Sequence, residues 1–204
     1  MSARGEVTAQ RIFDAAYKLI AAHGCGAVTL QNIAGEAGVV ASQICYYFGN
    51  KDRLLTAVLK RTGHAYLEGL GLSLRYCGTS TEHVIAFAGY SELILRKSPD
   101  TYRIFLEFCN FANGSTGFQM EVANLTSEIV SVVETCISNR APRRVSGARF
   151  SNASIVRFIF SASLGVSLQH FVDPETGDMQ KEFEIIKEAA VNLLEADADE
   201  TYER

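Results

Sequence analysis

Gln43, with Ser42, Cys45 and Tyr46 beside it, stands on the polar side of a short helix that the spacing predicts over about Val40 to Tyr47. The other side is apolar, since Ile44 lies at core spacing from Val39 and Tyr47. A glutamine amide offers a donor and an acceptor together, the pattern that pairs with N6 and N7 of adenine in a major groove. A solvated or phosphate-bound glutamine is the alternative reading. Thr29 carries the hydroxyl expected of a helix N-cap at the head of the preceding segment. Catalytic constellations are missing: there is no Glu-x-x-His, H-E-x-x-H, G-x-S-x-G or P-loop, so no catalytic residue is assigned. The five cysteines, Cys25, Cys45, Cys77, Cys109 and Cys136, are scattered, with no C-x-x-C pair and no His at ligand spacing. They read as reduced thiols, mostly buried, with no metal and no cofactor implied.

The elements that must position Gln43 lie in residues 29–51, TLQNIAGEAGVVASQICYYFGNK: a short helix, a glycine turn, a second short helix and an aromatic exit. Such a unit presents one exposed helix to the major groove of DNA. Gly38 sits at the corner, where a left-handed residue closes a helix, and Ala34 is small enough to let the second helix approach. Upstream, Arg11 to Ala22 form an amphipathic helix stopped at His23-Gly24, the third helix such a unit needs for a core. Downstream, Gly49 ends the second short helix and Asn50 caps the next.

The stretch from Arg11 to Leu55 resembles the N-terminal signature of the TetR family of bacterial transcription regulators. The matching residues are Arg11-Ile12-Phe13-Asp14-Ala15-Ala16, His23-Gly24, Thr29-Leu30, Ile33-Ala34, Ala37-Gly38-Val39, Tyr47-Phe48, Lys51 and Leu54. They span about a quarter of the chain. The resemblance implies a repressor whose homodimer binds a palindromic double-stranded operator and is released by a small-molecule effector. It implies phosphate contacts from Thr29, Tyr47 and Lys51, and the DNA-facing set is completed by Gln31, Ala41, Ser42, Gln43, Cys45 and Tyr46. Three positions depart from the family pattern: Val40 replaces a Ser or Thr cap, Ala41 a basic residue and Cys45 a tyrosine. Arg4, in an N-terminal arm, is a further candidate for contact with phosphate or a minor groove.

Hydrophobic residues make up 48% and charged ones 21% of the 204 residues, with 3 Pro, which describes a globular chain. No uninterrupted apolar run reaches the roughly 20 residues that cross a bilayer, and the N-terminus lacks a hydrophobic signal core, so a cytoplasmic location is expected. The net charge of −4 is unevenly shared: residues 1–63 hold 7 Lys and Arg against 4 Asp and Glu, leaving 12 against 19 elsewhere. Attraction to DNA acts within a Debye length of roughly 8 Å, so an acidic second part does not prevent binding by a basic first part.

An all-α fold follows: a three-helix reader over residues 1–50, joined by a long helix to an effector-binding and dimerisation bundle over 51–204. Further helices are expected near 52–75, 82–97, 100–113, 117–139, 151–172 and 177–196. Relatives in the family enclose a small effector in the second part. An apolar cavity with a few polar groups is what such a pocket requires, and the candidates are His64, Phe87, Tyr90, Phe105, Phe108, Cys109, Met120, Asn124 and Ser161, for a small apolar or aromatic effector. For the dimer seam, one stripe is Ile155, Phe158, Ile159, Ala162, Val166 and Gln169, and another is Phe183, Ile186, Ala190, Val191 and Leu194. Arg140, Arg143, Arg144 and Arg149 gather around Pro142 in a solvated loop, with an anion contact as the second reading.

Overall fold

The computed structural model describes residues 3–140, 150–175 and 177–199. Among them every regular element is helical: α1 (Ala3–Ala27), α2 (Leu30–Ala37), α3 (Ala41–Phe48), α4 (Lys51–Leu74), α5 (Ser80–Lys97), α6 (Pro99–Ala112), α7 (Thr116–Arg140), α8 (Asn152–Val172) and α9 (Met179–Asp199). Arg143, Arg144 and Arg149 lie outside the described residues, as do the side chains of Arg4 and Arg140.

The chain forms two compact units, Met1–Ala65 with Asp100–Leu125, and Tyr66–Pro99 with Thr126–Arg204. In the first, the apolar sides of α1, α2 and α3 meet around Ile12, Ala16, Ile20, Ile33 and Ile44, each fully buried. Leu54, Val58, Ile104 and Phe108 complete that core from α4 and α6. Burying each large aliphatic side chain contributes about 1.5–3 kcal/mol, which is how three short helices are held at fixed angles. The expected stop in α1 is present: Gly24 takes the non-helical φ 78° and ψ 162°, and a kink there divides the helix. A Cβ at Gly24 would stand 2.6 Å from the Glu107 Oε2, which accepts a bond from the Cys25 N–H at 3.3 Å.

In the second unit α5, α8 and α9 pack together in pairs. Val84, Phe87, Ile155, Ile159, Phe183 and Ala190 are buried there. Ser163 and Ser167 are also buried, and each satisfies its hydroxyl by donating one turn back, to the carbonyls of Ile159 (2.8 Å) and Ser163 (2.7 Å). The Lys187 Nζ meets the Glu92 carboxylate at 2.8 Å and ties α9 to α5. α8 is long and apolar enough, by length and composition, to cross a bilayer, although Arg157 and several serines interrupt it. Only 33% of its most apolar window is covered within the chain.

Candidate nucleic-acid interface

Local chemistry fixes α2 first. Thr29 is its N-cap: the hydroxyl oxygen accepts from the Asn32 N–H (3.1 Å) and donates to Asn32 Oδ1 (2.6 Å), while Oδ1 also accepts from the Thr29 N–H (3.2 Å). Four hydrogen-bonding atoms are thereby paired within one turn. At the other end Gly38 adopts φ 63° and ψ 41°, the left-handed corner expected of it. The Arg11 guanidinium, from α1, donates to the carbonyls of both Ala37 and Gly38. A positive group there satisfies orphan carbonyls and faces the negative end of the α2 dipole. The Lys18–Glu36 ion pair, at 2.6 Å, adds a second link between α1 and α2.

α3 is anchored by Ile44, which is fully buried, and by Ala41 and Tyr47, which are half-buried against the same core. Ser42, Gln43, Cys45 and Tyr46 face outward, Tyr46 most of all at 83% exposure. The Tyr46 ring meets Tyr47 edge-on, 5.1 Å between centroids. Val40 offers no side-chain acceptor, so only the reverse half of a capping box can form: Gln43 Oε1 accepts from the Val40 N–H at 3.2 Å. The residue best suited to pair with adenine therefore also holds the first turn of its own helix.

α3 ends at Gly49 (φ 85°), whose N–H returns to the Cys45 carbonyl at 2.8 Å. Asn50 Oδ1 then accepts from the Arg53 N–H at 2.9 Å and starts α4, as the sequence predicted. Most cations of this unit are engaged: Arg11 at the corner, Lys18 with Glu36, Lys60 with Glu121 (2.8 Å), and Arg61 with Gln10 and the Phe13 ring. Lys51 and Arg53 pair with no carboxylate among the described residues and flank the end of α3. Arg53 was missed by motif reading, and its signal is only its position, two residues past Lys51. Gln31, exposed on α2, and exposed Thr29 complete the predicted set.

The nine candidate effector residues scatter over the two units. In the first, Phe108 is a core residue, Phe105 and Cys109 pack against that core, and His64, Met120 and Asn124 are exposed. In the second, Phe87 is fully buried, the Tyr90 hydroxyl donates to the Tyr66 carbonyl at 3.0 Å, and Ser161 is exposed. The two dimer stripes divide as well. Ile155, Ile159, Phe183, Ile186 and Ala190 are buried within the chain, whereas Gln169 and Phe158 are exposed and Ala162, Val166, Val191 and Leu194 lie between. Leu168, Val172 and Ile185, outside both stripes as predicted, are exposed.

The expectation that the thiols are mostly buried holds for Cys25 alone; Cys45 is exposed and Cys77, Cys109 and Cys136 are intermediate. Periodicity put these residues beside apolar neighbours without fixing which side of each helix they occupy. Burial, reinforced by the Glu107 carboxylate and opposed by Lys51, pushes the Cys25 thiol up to about 12. Among the described residues no three His, Cys, Asp or Glu side chains converge as metal ligands.

Residues 12–58 match the model of a family described as bacterial regulatory proteins, tetR family. The chain is 27% identical over 144 residues to the HTH-type transcriptional regulator BetI of Brucella abortus (strain 2308), an alignment covering 68% of this chain and 73% of that protein. Its fold resembles a putative transcriptional regulator from Pseudomonas aeruginosa PAO1, with TM-score 0.77, 20% identity and coverage of 92% and 90% of the two chains. It also resembles the transcriptional regulator FadR from Bacillus subtilis, solved in complex with stearoyl-CoA, with TM-score 0.75, 17% identity and coverage of 89% and 97%.

Proposed function

This chain belongs to the TetR family of bacterial transcription regulators and is a DNA-binding regulator, and from that premise we propose that it is a homodimeric repressor, released from a palindromic operator by a small molecule. The observation that carries the reading is the outward face of α3, locked against its unit by Ile44 while Ser42, Gln43, Cys45 and Tyr46 are exposed, suited to meeting base edges. Lys51 and Arg53 supply unneutralised charge beside it, suited to phosphates that position the helix without reading sequence. Thr29 and Tyr47 act from the flanks, and Gln31 and Ala41 line the approach.

A single α3 touches too few bases for a specific site, and two-fold symmetry doubles the contact. Phe158 (41% exposed), Leu168 (52%) and Val172 (78%) on α8 and Ile185 (64%) on α9 leave an apolar face uncovered in the single chain, and a second copy is the occupant that suits it. α4 contributes Lys51 to the first unit and its last turns to the second, so it is the element through which an effector in the second unit would change the spacing of the two α3 helices. An apolar or aromatic effector remains the reading for the second part, and a regulator reading DNA this way works in the cytoplasm. A gel shift with fragments of the source genome tests the core of the proposal. Retarded fragments that compete against bulk DNA support it, and uniform weak retardation of all fragments contradicts it.

A further inference from the structure

We propose that the second unit carries a binding site for a small organic acid bearing a hydroxyl group, in a cavity of about 410 Å³ where the end of α4, the start of α5 and the end of α7 meet. None of the nine effector candidates named from sequence lines it. The volume lies within the roughly 300–1,000 Å³ usual for small-molecule sites. Leu74 and Val132 give it apolar walls, and the thiols of Cys77 and Cys136 add soft, weakly polar ones.

Of the polar side chains in the lining, Asn139, His83 and Arg75, the last two define the ligand. His83 is 3% exposed, and its Nδ1 lies 2.7 Å from the Thr79 carbonyl oxygen. A carbonyl can only accept, so Nδ1 carries the proton and the neutral ring keeps Nε2 as its acceptor, in a residue that lines the cavity. An imidazole acceptor in a cavity lining pairs with a donor such as a ligand hydroxyl or N–H. Arg75 stands at the rim, over the Tyr76 ring at 5.7 Å, and pairs with no carboxylate among the described residues. The adjacent carboxylate, Glu82, is already held by the N–H groups of Gly78 and Thr79. A guanidinium and an imidazole acceptor in one lining, together with apolar Leu74 and Val132, match a carboxylate and a hydroxyl on an apolar or aromatic body.

The site stands independently of the effector reading, which the same ligand can then test. Isothermal titration of the full chain with 4-hydroxybenzoate, salicylate and 4-hydroxyphenylacetate is the direct experiment. At least one acid is expected to saturate a single site. Arg75→Gln is expected to weaken that acid by roughly tenfold while leaving uncharged 4-hydroxybenzyl alcohol unaffected. Gly71 lines the cavity, and a Cβ there meets nothing within 4 Å, so Gly71→Leu adds a side chain at that position and is expected to abolish binding, with helical circular dichroism retained. In protein labelled with ¹⁵N-histidine, the His83 Nε2 resonance is expected to move on saturation. No saturable binding by any of the three acids, unchanged binding in Gly71→Leu, or equal losses of acid and alcohol in Arg75→Gln would overturn the site. An acid that binds as described yet leaves DNA affinity unchanged confirms the site and removes it as the effector site.

Discussion

Arg11 and Gly38 are joined across the corner of the DNA-reading unit: the guanidinium donates to the Gly38 carbonyl at 3.3 Å and to that of Ala37, while a Cβ on Gly38 would fall 2.6 Å from Arg11 Nη2. The angle between α2 and α3 depends on both residues. Gly38→Ala meets left-handed strain of roughly 1–2 kcal/mol and displaces the guanidinium as well. Arg11→Met removes a donor from the part-buried Ala37 contact and the exposed Gly38 contact, at about 0.5–1.5 kcal/mol. Urea unfolding should show both losses, and specific DNA affinity should fall with them.

Substitution can separate the observed cap of Gln43 from its proposed role in base reading. Gln43→Glu keeps an acceptor for the Val40 N–H but removes the amide donor, whereas Gln43→Ala removes both. Selection of binding sites from random duplexes should show preference relaxed at one base position, worth about 1–3 kcal/mol if the contact is bidentate. The melting temperature should fall only for Gln43→Ala. An unchanged sequence profile in both variants would leave Gln43 as a cap alone.

Lys51→Ala and Arg53→Ala should weaken specific and non-specific duplexes alike, and each should reduce the slope of log affinity against log salt by about 1. Fluorescence anisotropy across a salt series measures both. An undiminished slope in Arg53→Ala would remove it from the phosphate contacts.

How much of this was legible in the sequence varies with the range of the contact. Helix ends governed by neighbours could be read: Gly38 and Gly49 at positive φ, and Asn50 capping α4. The Arg11 corner could not, because its partners lie 26 and 27 residues away and no local pattern announces them. Apolar periodicity found the α8 and α9 stripes but could not divide them. Ile159 and Ala190 pack inside the chain, while Phe158 of the same α8 stripe and Ile185, which the α9 stripe left out, face outward. Gln43 was recognised by its amide, yet its cap was hidden because Val40 breaks the usual Ser/Thr pattern.

The dimer account therefore predicts a contrast between buried and exposed positions. Phe158→Asp with Ile185→Asp should give a folded monomer by analytical ultracentrifugation, with helical circular dichroism retained. Ala190→Asp should instead destabilise the chain itself, since it buries an unpaired carboxylate. A dimer that persists in the double variant would place the seam elsewhere.

Thiol chemistry gives a further check. Cys45 is exposed and Cys25 is buried, with its thiol held protonated up to about 12 by burial and by Glu107. Iodoacetamide on the native protein should label Cys45 early and Cys25 only after unfolding, as mass spectrometry resolves. Because its folded-state value is raised from 9.0, Cys25 should favour the folded state below pH 9 and lose that contribution as pH rises from 9 towards 12. Cys25→Ala should flatten the alkaline limb of stability against pH.

The central claim is that two copies of α3 read one operator, and sequencing of duplexes selected by the protein from fragments of the source genome tests it most directly. The expected result is a two-fold symmetric site whose half-sites lie about one helical turn apart, roughly 34–36 Å, with Cys45 shielded from alkylation when that duplex is bound. Enrichment of no sequence, or of an asymmetric site that leaves Cys45 fully reactive, would contradict it.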